Sequence, residues 1–124
     1  MDQRIPKAYQ TLWAPFEYDG VLYHLTTKNN LDSIQKVGYI EPRDPAPRNW
    51  AGMKAIFMGY ADDPLYAPSQ KNVHAHIKKK GDKLVRLQIK TTNPLYRSKD
   101  PERTFQVMSL DPIPVNDIVS TEEL

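Results

Sequence analysis

Eleven of the 124 residues are proline. Proline has a fixed φ and no backbone N–H, so it interrupts helix interiors and central strands alike. Here the prolines cluster in connections, which predicts short elements joined by long, irregular loops. The length is that of one domain, expected to run over residues 1–124. Such a chain buries roughly two-thirds of its unfolded surface and can hold a core without staples. It has no cysteine. That removes disulfides, thiolate zinc sites and cysteine nucleophiles together, and it fits a reducing cytosol.

No apolar run approaches the roughly 20 residues that span a bilayer. Met1 to Gln10 is too polar for a secretory signal, so no membrane and a cytoplasmic location are expected. The formal charge of +2 is small, but it is unevenly spread. Lys71 to Lys90 holds Lys71, Lys78, Lys79, Lys80, Lys83, Arg86 and Lys90 against Asp82. From Asp100 onward six acids face Arg103. A basic stripe attracts phosphate, so the Lys71 to Lys90 segment is a candidate surface for a nucleic-acid or protein partner. Its plainer reading is a solvated face with a lysine-rich turn.

Pro15 to Tyr18 and Val21 to Leu25 are β-prone, with Asp19-Gly20 between them, which predicts a hairpin on a type I′ turn. The second of these strands is apolar on both faces except at His24. Leu31, Ile34 and Val37 then form one helical stripe. Asn29 or Asn30 is placed to cap that helix and Gly38 to end it. Tyr39-Ile40 continues extended. Glu41 to Lys54 is a proline-rich loop, and Ala55 to Met58 is a short strand ending at Gly59. Asp62-Asp63-Pro64 opens a second helix, which Pro68 limits or restarts at Ser69 and Gly81 stops. Lys83 to Lys90 and Thr104 to Leu110 read as strands. Ile113-Pro114 to Val119 reads as a proline turn and an edge strand. Helices and strands do not alternate regularly, so the class is α+β, with about six strands and one or two helices.

Three blocks carry a family resemblance. The first is Leu22-Tyr23-His24-Leu25-Thr26-Thr27 with Asn30-Leu31-Asp32-Ser33-Ile34 and Val37-Gly38-Tyr39-Ile40. The second is Ala55-Ile56-Phe57-Met58-Gly59-Tyr60 with Asp62 to Tyr66. The third is Phe105-Gln106-Val107-Met108 followed by Ile113-Pro114-Val115-Asn116-Asp117-Ile118. In order and residue type they resemble the ADP-ribosyltransferase-like superfamily. The nearest look is to its small bacterial or phage-type branches: toxins that modify DNA, RNA 2′-phosphotransferases and rifampicin-modifying enzymes.

The resemblance implies a split β-sheet and NAD as co-substrate. It implies that His24 hydrogen-bonds the nicotinamide ribose, while Thr26 and the backbone of Leu25 contact the nicotinamide amide. Tyr60, or alternatively Tyr66, would stack on the nicotinamide. The family's late-strand glutamate position is held by Gln106, with Glu102 four residues earlier. An amide brings no negative charge to an oxocarbenium-like state, and losing such stabilisation costs on the order of a hundredfold. Arg43, Arg48, Asn49 and Trp50 lie in the proline loop, where the arginines suit phosphate and Trp50 suits adenine.

Each of these residues also has a structural reading: a satisfied core histidine, strand-end tyrosines, an exposed Pro101-Glu102-Arg103 loop and one packed tryptophan. His74-x-His76 lacks a third ligand, so no metal is expected. Phosphate-binding glycine loops and serine nucleophile motifs are absent from the sequence. The expected activity is NAD-dependent ADP-ribosyl transfer to a macromolecule. The alternatives are a non-catalytic NAD- or ADP-ribose-binding module and an RNA 2′-phosphotransferase cradling phosphate with Arg43, Arg48 and Arg86.

Overall fold

Where the strands find their partners decides where a cleft can open. The computed structural model describes residues 2–43, 53–63 and 66–124. A 3-10 turn (Lys7–Leu12) leads into β1 (Trp13–Phe16), β2 (Leu22–Thr27), α1 (Lys28–Val37), β3 (Tyr39–Ile40) and β4 (Ile56–Met58). Then come α2 (Tyr66–Lys79), β5 (Leu84–Ile89), β6 (Leu95–Ser98), β7 (Val107–Ser109) and β8 (Ile113–Pro114). A second 3-10 turn (Val115–Asp117) precedes β9 (Ile118–Glu123). The class is α+β, with antiparallel pairing throughout the described sheets. Nine strands are described rather than about six, because several are pieces of two or three residues.

The strands form a four-stranded sheet in the order β1-β6-β7-β4, a three-stranded sheet β2-β5-β9 and a small pair β3-β8. The expected β1–β2 hairpin does not form: β1 pairs with β6, and β2 pairs with β5. A type I′ turn needs positive φ at Gly20, but among the described glycines that conformation occurs at Gly38 and Gly81. Gly20 serves a different purpose. A Cβ there would lie 2.6 Å from the Tyr18 ring, so the missing side chain lets that ring fold over the backbone. The Tyr18 ring stacks on Phe16 at 5.5 Å.

The cap of helix α1 lies two residues before Asn29, the earlier of the two expected caps. β2 runs straight into the helix, and the cap is Thr27, whose Oγ1 accepts from the Asn30 N–H at 3.1 Å. Gly38 ends the helix at φ 99°, its N–H donating to the Ile34 carbonyl. Of the stripe, Ile34 is buried, Leu31 packs against the core, and Val37 is exposed. Helix α2 starts at Tyr66 with Pro68 in its first turn, where a missing N–H costs no helical bond. The proposed start at Pro64 lies outside the described residues. Gly81 follows at φ 75°.

Two further readings are corrected. Leu95 to Ser98, not among the expected strands, is a strand paired on both sides, with β1 and with β7. The strand expected over Thr104 to Leu110 is shorter, because the Gln106 N–H turns back to the Arg103 carbonyl at 3.0 Å. Gln106 therefore precedes β7 rather than lying in it.

The main core joins the sheets through Leu22, Ile34, Ile56, Met58, Val85, Leu87, Ile89 and Val107. A second cluster (Ile5, Trp13, Met53, Ala55, Met108, Leu110) lies on the far side of the four-stranded sheet. No described helix is long and apolar enough to cross a membrane.

Candidate functional site

The sheets meet at one backbone rung. Tyr23 and Gly59 exchange both hydrogen bonds, at 2.8 and 2.9 Å. The next rung of an antiparallel ladder would join Leu25 to Phe57. Instead, His24 Nδ1 takes the Phe57 carbonyl, at 2.6 Å. β2 and β4 part there, leaving a cleft of about 190 Å³ lined by His24, Asn30, Ile34, Ile40, Glu41, Arg43 and the Ala55–Phe57 stretch. By the strand's alternation, the backbone N–H and C=O of Leu25 face the same gap as those of Tyr23.

The Phe57 carbonyl can only accept, so Nδ1 must carry the proton. Burial pushes the His24 pKa below its ordinary value of 6.5, and the bond to Phe57 opposes this only in part. The neutral ring therefore leaves Nε2 as an acceptor. Beside it, the buried Thr26 Oγ1 accepts from Asn30 Nδ2 at 2.6 Å. The Asn30 carbonyl oxygen faces the Arg43 guanidinium at 3.5 Å. Arg43 is fixed from its backbone, exchanging bonds with Ala55 at 3.2 and 3.1 Å. The cleft thus combines an imidazole acceptor, an amide bonded to the Thr26 hydroxyl, a cation and the Glu41 carboxylate.

The structure places His24 and Arg43 in the lining of this cleft; Thr26 and Leu25 are not lining residues, and Thr26 reaches it only through its bond to Asn30, while Arg48, Asn49 and Trp50 lie outside the described residues. Tyr60 sits elsewhere, edge-on to Phe16 and Tyr18 at 6.5 and 5.4 Å, with Arg97 over its ring. Burial raises the Tyr60 phenol. Tyr66 is buried against Phe105 and over Gly59, and its phenol is likewise raised by burial. Neither Gln106 nor Glu102 is among the described residues lining the cleft, and Glu102 is exposed. Glu41 and Asn30 are cleft residues that the sequence did not single out as such. Asn30 reads as a helix cap, and the carboxylate was sought near the end of the chain.

The basic segment is partly neutralised. Arg86 pairs with Glu122 at 2.6 Å, and Lys83 with Glu123 at 3.2 Å, so the acidic end of the chain lies along its basic strand. Arg86 also lies over the Tyr23 ring, on the opposite face of β2 and β5 from His24. Arg43 and Arg86 therefore do not converge on one phosphate. Among the described residues no three histidine or acidic side chains form a metal-ligand group. A second, larger depression of about 630 Å³ is lined by Phe16, Tyr18, Lys90 and the Thr91–Leu95 turn. The chain matches no family model, no curated protein and no solved structure with which it was compared.

Proposed function

We propose that the His24 cleft binds NAD and that the chain is an NAD-dependent ADP-ribosyltransferase. The observation that carries this reading is the histidine tautomer. Nδ1–H is committed to the Phe57 carbonyl, so Nε2 is left to accept from a ribose hydroxyl. The Leu25 backbone edge offers one donor and one acceptor, the complement of a carboxamide. Arg43 supplies a cation for the pyrophosphate. In the transfer, the ribose C1′–nicotinamide bond breaks and its electron pair leaves with the nicotinamide. The acceptor's nucleophile then bonds C1′. The exposed lysines of the Lys71 to Lys90 segment make a nucleic acid a reasonable acceptor.

A second reading is favoured by one residue. Gln106 stands where the resembled family has a glutamate, and an amide does not offset charge at C1′. On that reading the domain binds NAD or ADP-ribose without turnover. One experiment separates the two: incubate the protein with NAD while following thermal stabilisation and nicotinamide release. The transferase reading expects both signals, and both lost in His24→Ala. Stabilisation without release would leave the binding module. Neither signal would remove NAD as the ligand.

A further inference from the structure

We infer that Glu41 reads the diol of the adenosine ribose, the one that carries the 2′-phosphate in NADP, and makes the cleft selective for NAD over NADP. The inference rests on the reading of the cleft as an NAD site.

Glu41 is held between two backbone anchors. On one side Ile40 pairs with Ile113 in the β3–β8 ladder and is itself buried. On the other, Arg43 exchanges both backbone bonds with Ala55. Pro42 lies between them and keeps residue 41 extended. The two lining side chains that flank Pro42, Glu41 and Arg43, therefore leave a short, pinned segment with opposite charges.

That pairing of charges matches a particular ligand edge. A vicinal diol presents two hydroxyl donors, and a carboxylate presents two acceptor oxygens. Arg43 suits the neighbouring phosphate. The two other polar side chains among the described lining residues do not add a second cation: His24 is held neutral, and the Asn30 carbonyl oxygen faces Arg43. Among the described lining residues, a 2′-phosphate placed at the diol would meet the Glu41 charge, with Arg43 engaged at the neighbouring phosphate. A site that hydrogen-bonds a hydroxyl with a carboxylate rejects the phosphorylated analogue, as acidic residues do at ribose 2′-hydroxyls in dinucleotide folds.

The test is calorimetric titration of NAD and NADP into the wild type, Glu41→Gln and Arg43→Ala. The wild type is expected to bind NAD at least about tenfold more tightly than NADP. Glu41→Gln should weaken NAD about tenfold and bring the two affinities together. Arg43→Ala should weaken both nucleotides and leave their ratio unchanged. Glu41 is exposed, so a melting curve superimposable on the wild type will show that the fold survives. NADP binding as tight as NAD in the wild type, or an unchanged ratio in Glu41→Gln, overturns the role of Glu41 while the NAD reading stands. If neither nucleotide binds the wild type, the reading of the cleft fails and this inference fails with it.

Discussion

The two faces of β2 treat their polar groups in opposite ways. On one face, His24 and Thr26 each make a single hydrogen bond to a neighbouring element, to Phe57 and to Asn30. The imidazole keeps an acceptor in reserve. On the other, Tyr23 lies under the Arg86 guanidinium at 5.1 Å, and Arg86 is already paired with Glu122. The first face opens on a cleft, and the second is closed by its own charges. Alternation along one strand is enough to separate a site that can accept a ligand from a surface that is already satisfied. The same alternation argues against phosphate cradling by Arg43 and Arg86 together.

The contrast depends on the single rung that holds the sheets while letting them part beyond it, so the largest effect is expected at Gly59. A Cβ there would lie 2.7 Å from the Tyr66 ring and 3.4 Å from the Phe105 carbonyl. Gly59→Val forces that packing apart, and a loss of about 2–3 kcal/mol is expected. Urea unfolding measures it. A midpoint equal to the wild type would mean that Tyr66 yields freely and that the rung does not fix the cleft.

How much of this was legible depends on how local each cause is. The Leu31–Ile34 part of the α1 stripe and the left-handed Gly38 follow from neighbours in the chain and were marked by the sequence, while Val37 is exposed. His24 stood out because it is the one polar group in an apolar strand. Strand partners are a different matter. Asp19-Gly20 invites a hairpin, but β1 finds β6 about eighty residues away and Gly20 is used to admit the Tyr18 ring. Glu41 had no local mark at all. It becomes a cleft residue only because β3, α1 and β4 converge around it. Gln106 was placed on a strand by its apolar neighbours, whereas a turn to Arg103 takes it off.

Acidification tests the two faces against each other. His24 is neutral in the folded chain, with its pKa below the ordinary 6.5 that it regains on unfolding. Its contribution is therefore fully present above 6.5 and is lost as the pH falls from there toward the folded value. His24→Asn keeps an N–H for Phe57 but does not titrate. From about pH 7 to about pH 5 the wild type should lose stability relative to this variant. Parallel unfolding curves would mean that the imidazole is not buried as the cleft requires. The Nε2 acceptor disappears only when the folded ring protonates, so nucleotide-induced stabilisation should hold through that interval and weaken as the pH falls through the lower folded value.

The smallest effect lies one residue pair further along the open face. Thr26→Val keeps the side-chain shape and removes the hydroxyl that accepts from Asn30. A loss of about 1 kcal/mol is expected, the ordinary net worth of such a bond. Because Asn30 also faces Arg43, the change should reach the cleft's cation, which a packing defect at residue 26 alone would not do. The double variant with Asn30→Ala distinguishes the two. Coupling of about 1 kcal/mol between the substitutions would mean that Thr26, Asn30 and Arg43 act as one chain along the rim. Simple additivity would reduce Thr26 to a core threonine, and the contrast between the faces would then rest on His24 alone.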